Sequence, residues 1–269
     1  MTRPYAEVIG DPIAHSKSPL IHNFWLGKLG IDAEYRACHV RPDELEDYFT
    51  RRRGDAEWRG CSVTIPHKVS VTDFVDARSR EDCRLGAVNT IRTGREGRLL
   101  SSNTDVAGVR AALEGVELSG ITASVLGSGG AARAAIYALA QAHVAKINVV
   151  ARNVATASEL IGRFGVRGEA LPWGTPPRGR LLVNASPLGM TGQPPLALPI
   201  SELDRGATVF DMVYQPLQTP LLQQSAVLGL SIRDGLQMLV GQAAVAFEKF
   251  FGHPAPRQHD AELRALLTA

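Results

Sequence analysis

Near the middle of this 269-residue chain stands Ser124-Val-Leu-Gly127-Ser128-Gly129-Gly130-Ala131-Ala132-Arg133, the stretch that most constrains its fold. An apolar segment, Ile121 to Leu126, runs into two glycines and then into a small-residue helical pattern, Ala131 to Ala142. The spacing fits G-x-G-x-x-A, with Ala132 in the last slot. Gly127 lets the chain turn sharply out of a strand, and Gly129 leaves room for a phosphate to approach backbone N–H groups at a helix N-terminus. Ala132 is small enough for the helix to pack on the strand. This is the strand, turn and helix of a dinucleotide site, with Gly127, Ser128, Gly129, Gly130 and Ala131 against the ligand. A tight turn that holds nothing satisfies the same pattern, so the neighbouring segments decide.

From Ile121 onward the apolar periodicity alternates strictly. It predicts a strand to Leu126, a helix to Ala142, a strand Lys146–Val150, a helix Val154–Phe164, strands Leu181–Ala185 and Thr208–Met212, and a helix Pro220–Leu228. Alternation of this kind means an α/β fold with a doubly wound parallel sheet. Ahead of it the pattern predicts a strand Tyr5–Gly10 and a helix opened by Ser18 as cap and Pro19 in the first turn. A strand Glu34–Val40, a helix Asp43–Arg53 and a strand Cys61–Ile65 stopped by Pro66 come next. Leu85–Ile91 and Arg98–Ser102 read as a hairpin, followed by a helix Val106–Glu114. Helices Gly235–Phe251 and Ala261–Leu267 close the chain.

The 29 Lys and Arg against 27 Asp and Glu leave a net charge of +2, too small to build the field of a nucleic-acid or membrane-surface binder. The basic run Arg51-Arg52-Arg53 ends a helical pattern, where the macrodipole favours cations. No run reaches the length of a membrane span, and no apolar leader follows Met1. Cys38, Cys61 and Cys83 are widely spaced without a C-x-x-C, which points to reduced thiols in the cytoplasm and to neither disulfides nor a metal site.

A nicotinamide enzyme acting on an alcohol needs a group to take the hydroxyl proton and polar groups to hold the substrate. Ser16, Ser18, Thr64, Lys68, Asn89 and Asp105 all fall where a strand ends or a helix begins, the places where pockets are built. Ser16 and Ser18 are read either as capping and turn residues or as hydroxyls aimed at a ligand. Lys68 is read as a surface lysine or, paired with Asp105, as one member of a pair that shares a mobile proton. Asp105 alone is read equally well as a helix cap.

Together these residues fall into motifs that resemble the shikimate dehydrogenase family along nearly the whole chain. They are Ser16-Lys17-Ser18-Pro19, Val63-Thr64-Ile65-Pro66-His67-Lys68, Gly86-Ala87-Val88-Asn89-Thr90 and Asn103-Thr104-Asp105-Val106-Ala107-Gly108. After the glycine turn come Asn184-Ala185-Ser186-Pro187-Leu188-Gly189-Met190, Asp211-Met212-Val213-Tyr214, Thr219-Pro220-Leu221-Leu222 and Gly235-Leu236-Gln237-Met238-Leu239-Val240-Gly241-Gln242-Ala243.

The resemblance implies an N-terminal α/β substrate domain, 1–103 completed by the C-terminal helices 236–269, and a Rossmann-type dinucleotide domain, 104–235. It implies that Ser16 and Ser18 bind a substrate carboxylate, that Thr64, Asn89 and Gln242 hold ring hydroxyls, and that Lys68 and Asp105 form the catalytic pair. Tyr214, Gly235 and Met238 would line the seam where nicotinamide meets substrate, Tyr214 on the substrate side, and Met212 would bind the cofactor. The activity implied is reversible hydride transfer between NADP and the 3-hydroxyl or 3-oxo position of a cyclic hydroxy acid, shikimate or an analogue, in aromatic amino acid biosynthesis. A monomer or homodimer would suffice.

Two departures bear on that expectation. The family usually has Asn where this chain has Ser62, and a single hydroxyl cannot make an amide's paired contacts, so quinate or an amino analogue becomes an alternative substrate. The family's NADP-preferring members carry a second basic residue shortly after the second nucleotide-domain strand, where Ala151-Arg152-Asn153 is followed by Thr156. No acidic residue stands there for a ribose diol, and Arg152 suits a 2′-phosphate, so NADP is expected ahead of NAD. The alternatives are a catabolic quinate or shikimate dehydrogenase using NAD, or a nucleotide-sensing relative without catalysis.

Overall fold

In the computed structural model, which describes residues 3–269, the chain divides between two units. One is the segment ending at Thr104 together with Gln242–Ala269, and the other is Asp105–Gly241.

In the first unit the chain runs β1 (Tyr5–Gly10), α1 (Ser18–Leu29), β2 (Glu34–His39), α2 (Leu45–Arg53), β3 (Trp58–Val63), α3 (Arg80–Leu85), β4 (Thr90–Thr93) and β5 (Leu99–Ser102). The sheet order is β2-β1-β3-β4-β5, with β2, β1 and β3 parallel and β4 and β5 antiparallel to their neighbours. Every residue of β1 is buried, as a central strand covered on both faces requires. Ile9, Cys61 and Val63 pack with Tyr48 and Phe49 of α2, while Ala6, Val8 and Tyr35 pack with Ala246 and Phe250 near the C-terminus.

An acid interrupts this apolar strand. Glu7 is 1% exposed, and it accepts from Arg52 Nε at 2.7 Å, Arg36 Nε at 3.0 Å and the Tyr48 hydroxyl at 2.9 Å. A buried carboxylate is tolerable only when paired in this way. The Arg51–Arg53 run does lie in the last turn of α2, but Arg52 is taken by Glu7 and Arg53 pairs with Asp76 at 2.6 Å.

The hairpin expectation is corrected at its first strand. Leu85 ends α3, and β4 begins only at Thr90. Ser79 and Asp82 form a reciprocal capping box, at 3.0 and 3.1 Å, and Gly86 ends the helix at φ 62°. β3 also starts earlier than expected, at Trp58, and ends at Val63.

In the second unit the chain runs α4 (Asp105–Ala112), β6 (Thr122–Leu126), α5 (Gly130–Gln141), β7 (Lys146–Ala151), α6 (Val154–Phe164), β8 (Ala170–Pro172), β9 (Gly179–Asn184), β10 (Leu203–Asp211), α7 (Pro220–Val227) and β11 (Ser231–Arg233). α8 (Gly235–Phe251) follows, with the division between units falling inside it, and α9 (Asp260–Thr268) closes the chain. The sheet order is β11-β10-β9-β6-β7-β8, all parallel, which is the doubly wound arrangement with both outer strands short. β8 and β11 are three-residue strands that the periodicity does not reveal. Among the described residues no helix is long and apolar enough to cross a membrane.

His22 of α1 is fully buried, with its ring stacked on Tyr35 at 3.9 Å and beside Trp25 and Phe247. Burial without a counter-charge lowers its pKa from 6.5 to about 3. The folded state therefore holds the neutral ring while the unfolded chain takes up a proton below pH 6.5. Stability is full above that pH and falls by about 1.4 kcal/mol for each pH unit lost below it, down toward the folded pKa. Chemical denaturation at pH 7 and pH 5 is expected to show a steeper loss in the unaltered protein than in His22→Phe; equal slopes would contradict a buried neutral His22.

Candidate active site

Each sheet has one place where crossovers leave in opposite directions. In the first, β1 connects to β2 on one side and β3 then returns to the other, so the carboxyl ends of β1 and β3 diverge from their helices. The loops that follow these strands are tied together: Thr64 N donates to Ile9 O at 3.0 Å and Asp11 N to Ile65 O at 3.1 Å.

The loop after β1 carries Ser16 and Ser18. α1 begins at Ser18 itself, which is buried as the first helical residue, so Ser18 is not the cap expected from its sequence. Ser16 takes the turn role instead, its hydroxyl accepting from Ser18 N at 3.3 Å. The loop after β3 carries Thr64 and Lys68. His67 N closes a turn onto Thr64 O at 2.9 Å, and its buried ring bonds through Nε2 to Val40 O at 2.6 Å. The Lys68 carbonyl accepts from Val88 N at 2.7 Å, and Val63 N donates to Asn89 O at 2.7 Å. Thr64, Lys68 and Asn89 are thus held to one corner of the unit.

Asn89 is 2% exposed and sits in a polar network. Its Nδ2 donates to Thr104 Oγ1 at 2.9 Å, its Oδ1 accepts from Thr104 N at 2.7 Å, and Thr104 Oγ1 donates to Gln242 Oε1 at 3.4 Å. The structure therefore brings Gln242 to Asn89 across 153 positions of sequence, with Thr104 between them. Thr104 carries no role that the sequence alone reveals; the polar residues Asn103 and Asp105 on either side of it are the signal that marks the position. Asn103 Nδ2 adds a bond to Ala87 O at 2.9 Å. Asp105 is the next residue, buried, and opens α4 in the second unit. α8 passes close to α4 at Gly241, where a Cβ would lie 2.8 Å from Ala111 Cβ, so the residue before Gln242 has no room for a side chain.

Ser62 is also placed. Its neighbours Cys61 and Val63 face α2, so alternation puts Ser62 on the opposite face, where it is buried beside the Tyr35 phenol.

In the second sheet the switch falls between β6 and β9. Gly127 leaves β6 at φ 103°, its N donating to Val150 O at 2.9 Å, and a Cβ there would come 3.2 Å from Ala185 O. Gly129 flanks α5, and a Cβ on it would meet nothing within 4 Å, so the space above the turn is open. Gly130 and Ala131 open α5 with N–H groups that have no helical partner, while Ala132 is fully buried. The turn has the steric profile of a pyrophosphate cradle.

β7 ends at Ala151, leaving Arg152 exposed before Asn153, which caps α6 by accepting from Thr156 N at 3.0 Å. Thr156 is thus the third residue of a capped helix, with no cation of its own. Beyond β9 lies a network that sequence reasoning left without a role. Asp211 accepts from Asn184 Nδ2 at 2.9 Å, Thr219 Oγ1 at 2.6 Å and Val213 N at 3.0 Å. Burial raises its pKa while these donors oppose the rise. It fixes the segment carrying Met212 and Tyr214; Gly235 presses on the same segment, since a Cβ there would lie 2.3 Å from Met212 O. Met238 is buried in α8.

Residues 8–91 match the family model described as the shikimate dehydrogenase substrate binding domain, and 235–262 the shikimate 5'-dehydrogenase C-terminal domain. The shikimate dehydrogenase (NADP(+)) of Sphingopyxis alaskensis is 52% identical over 268 residues, covering 99% of this chain and 97% of the relative. Among solved structures, shikimate 5-dehydrogenase of Thermus thermophilus in complex with NADP(H) and shikimate superposes at TM-score 0.88 with 35% identity, covering 98% of this chain and 99% of that one. A Gluconobacter 5-ketofructose reductase superposes at 0.86 with 30% identity, covering 99% of each chain.

Thr104→Val keeps the shape but leaves the Asn89 amide and Gln242 each one partner short. It is expected to lower unfolding free energy by about 1–3 kcal/mol in chemical denaturation; unchanged stability would mean that the network does not hold this corner together.

Proposed function

The chain belongs to the shikimate dehydrogenase family, and from that membership we propose that it transfers hydride reversibly between NADP and the 3-hydroxyl or 3-oxo position of shikimate. The observation that carries the substrate half is the Asn89–Thr104–Gln242 network beside Thr64 and Lys68, a buried polar constellation built where a sheet leaves a crevice.

On this reading Ser16 and Ser18 donate to the substrate carboxylate, and Thr64, Asn89 and Gln242 hold and discriminate ring hydroxyls. A site whose polar atoms expect hydroxyl partners rejects an analogue that lacks them. Lys68 takes the proton of the reacting hydroxyl as that carbon is oxidised, and returns it in the reverse direction. Asp105 orients the ammonium or shares the proton. NADP, when bound, supplies the hydride acceptor. The turn Gly127–Ala131 would receive its pyrophosphate and Arg152 its 2′-phosphate, while Met212, Tyr214, Gly235 and Met238 would hold the nicotinamide end. The acid that would bind a free ribose diol is missing at the end of β7, where Arg152 stands.

Ser62 bears on the choice between shikimate and quinate. Its place beside the Tyr35 phenol, on whose ring His22 of α1 stacks, gives its hydroxyl a packing role, which supports shikimate as the first substrate. The protein then acts in aromatic amino acid biosynthesis, in the cytoplasm, as a monomer or homodimer.

Lys68→Ala is expected to lower kcat by about 10²- to 10⁴-fold while circular dichroism and melting stay unchanged; near-normal kcat would remove Lys68 from proton transfer. For Arg152→Ala, steady-state titration of each nucleotide should show KM for NADP raised about tenfold or more and KM for NAD nearly unmoved, as loss of a charged phosphate contact requires. Equal effects on both would contradict the 2′-phosphate role.

A further inference from the structure

Between the two serines lies Lys17, to which the reaction assigns nothing. Its side chain does not point along the loop to solvent. Lys17 Nζ donates to the carbonyl of Leu267, 250 positions away in the last turn of α9. That carbonyl is one of the final four of a helix, which have no N–H partner further along the chain and which attract a cation. Lys17 is fixed at its backbone too, where its carbonyl accepts from Ile21 N at 3.2 Å.

The anchor itself is firm. Leu263 and Leu267 of α9 are buried, Lys28 of α1 pairs with Glu262 at 2.7 Å, and the rings of Phe24 and His259 meet edge-on at 6.5 Å. The loop it holds has little other support. Of the residues from Pro12 to Lys17 only Ile13 is buried, while Pro12, Ala14 and His15 are exposed, and Ser16 N is tied back to Ile13 O at 3.0 Å. The position of the Ser16 hydroxyl therefore depends on Ile13 at one end and on Lys17 at the other, and Lys17, the residue before α1, also fixes where Ser18 begins the helix.

We propose that Lys17 is a positioning residue: through the Leu267 carbonyl it tethers the two serines to the C-terminal helix, so that α9 sets the affinity for the substrate carboxylate without taking part in proton transfer. The proposal rests on the reading of Ser16 and Ser18 as the carboxylate site. It differs from a direct pull of the ammonium on the carboxylate, because the cation is engaged elsewhere.

Steady-state kinetics with shikimate and NADP separates these roles. Lys17→Met, which cannot donate, is expected to raise KM for shikimate about tenfold, the scale of one charge-assisted hydrogen bond. Both kcat and KM for NADP should stay within about twofold. Lys17→Gln keeps a donor without the charge and is expected to keep KM within about threefold of the unaltered protein. Removing Leu266–Ala269 deletes the acceptor, and should raise KM as Lys17→Met does and add nothing when combined with it. Lys17→Gln behaving like Lys17→Met would overturn the tether in favour of direct charge attraction, whether or not the shortened chain folds. A shortened, folded chain with normal KM, or a fall in kcat in Lys17→Met, would overturn it as well. Turnover of shikimate with KM unmoved by Lys17→Met refutes the tether alone and leaves the proposed reaction standing. A protein inert toward shikimate refutes the reaction, and the tether with it.

Discussion

A parallel sheet whose crossovers depart to opposite sides leaves a gap at the carboxyl ends of two adjacent strands that no covering helix can fill. This chain has two such gaps, between β1 and β3 and between β6 and β9, and the residues with chemistry to offer collect at them. At the first, the strands end in loops carrying hydroxyls, an amide and a lysine. At the second, they end in a glycine turn and a helix N-terminus, which present backbone N–H groups and little else. The division of labour follows from those endings: the first gap can read a polyhydroxylated acid, and the second an anion of any identity.

What keeps these loops in place is the requirement that buried polar groups be paired. Thr104 joins Asn89 to Gln242, Asp211 gathers three donors around the segment leading to Tyr214, and Glu7 holds two arginines within the first unit. Each of these groups would destabilise the fold if left alone and stabilises one geometry when satisfied. The same requirement acts on the last turn of α9, whose carbonyl takes the side chain of Lys17. Fold stability and site geometry are here the same set of hydrogen bonds.

The periodicity of the second unit was legible because long strands and helices alternate there, and the doubly wound sheet came out as expected. The short edge strands β8 and β11 were not, since three residues carry no period. In the first unit the segment around Leu85 misled: its apolar residues read as a strand, while the S-x-x-D capping box that starts α3 lay upstream at Ser79 and Asp82. Ser18 before Pro19 gave a sound helix start but the wrong cap, because Ser16 closes the turn from outside the helix. The joining roles of Thr104 and Asp211 were not legible, since a buried polar residue is recognisable only once its partners are in place. Family motifs supplied the roles proposed for Lys68 and Asp105, which position along the chain alone left open between surface charge, helix cap and proton transfer.

The central claim is that the first gap is built for shikimate and the second for NADP. The measurement that tests it most directly is the initial rate of nucleotide reduction with shikimate and with quinate, each paired with NADP and with NAD. The account predicts the largest kcat/KM for shikimate with NADP, above each of the other three pairs by about tenfold or more, the scale of a phosphate contact or a correctly paired hydroxyl. The largest value falling on quinate with NAD, or no reduction with any pair, would contradict it.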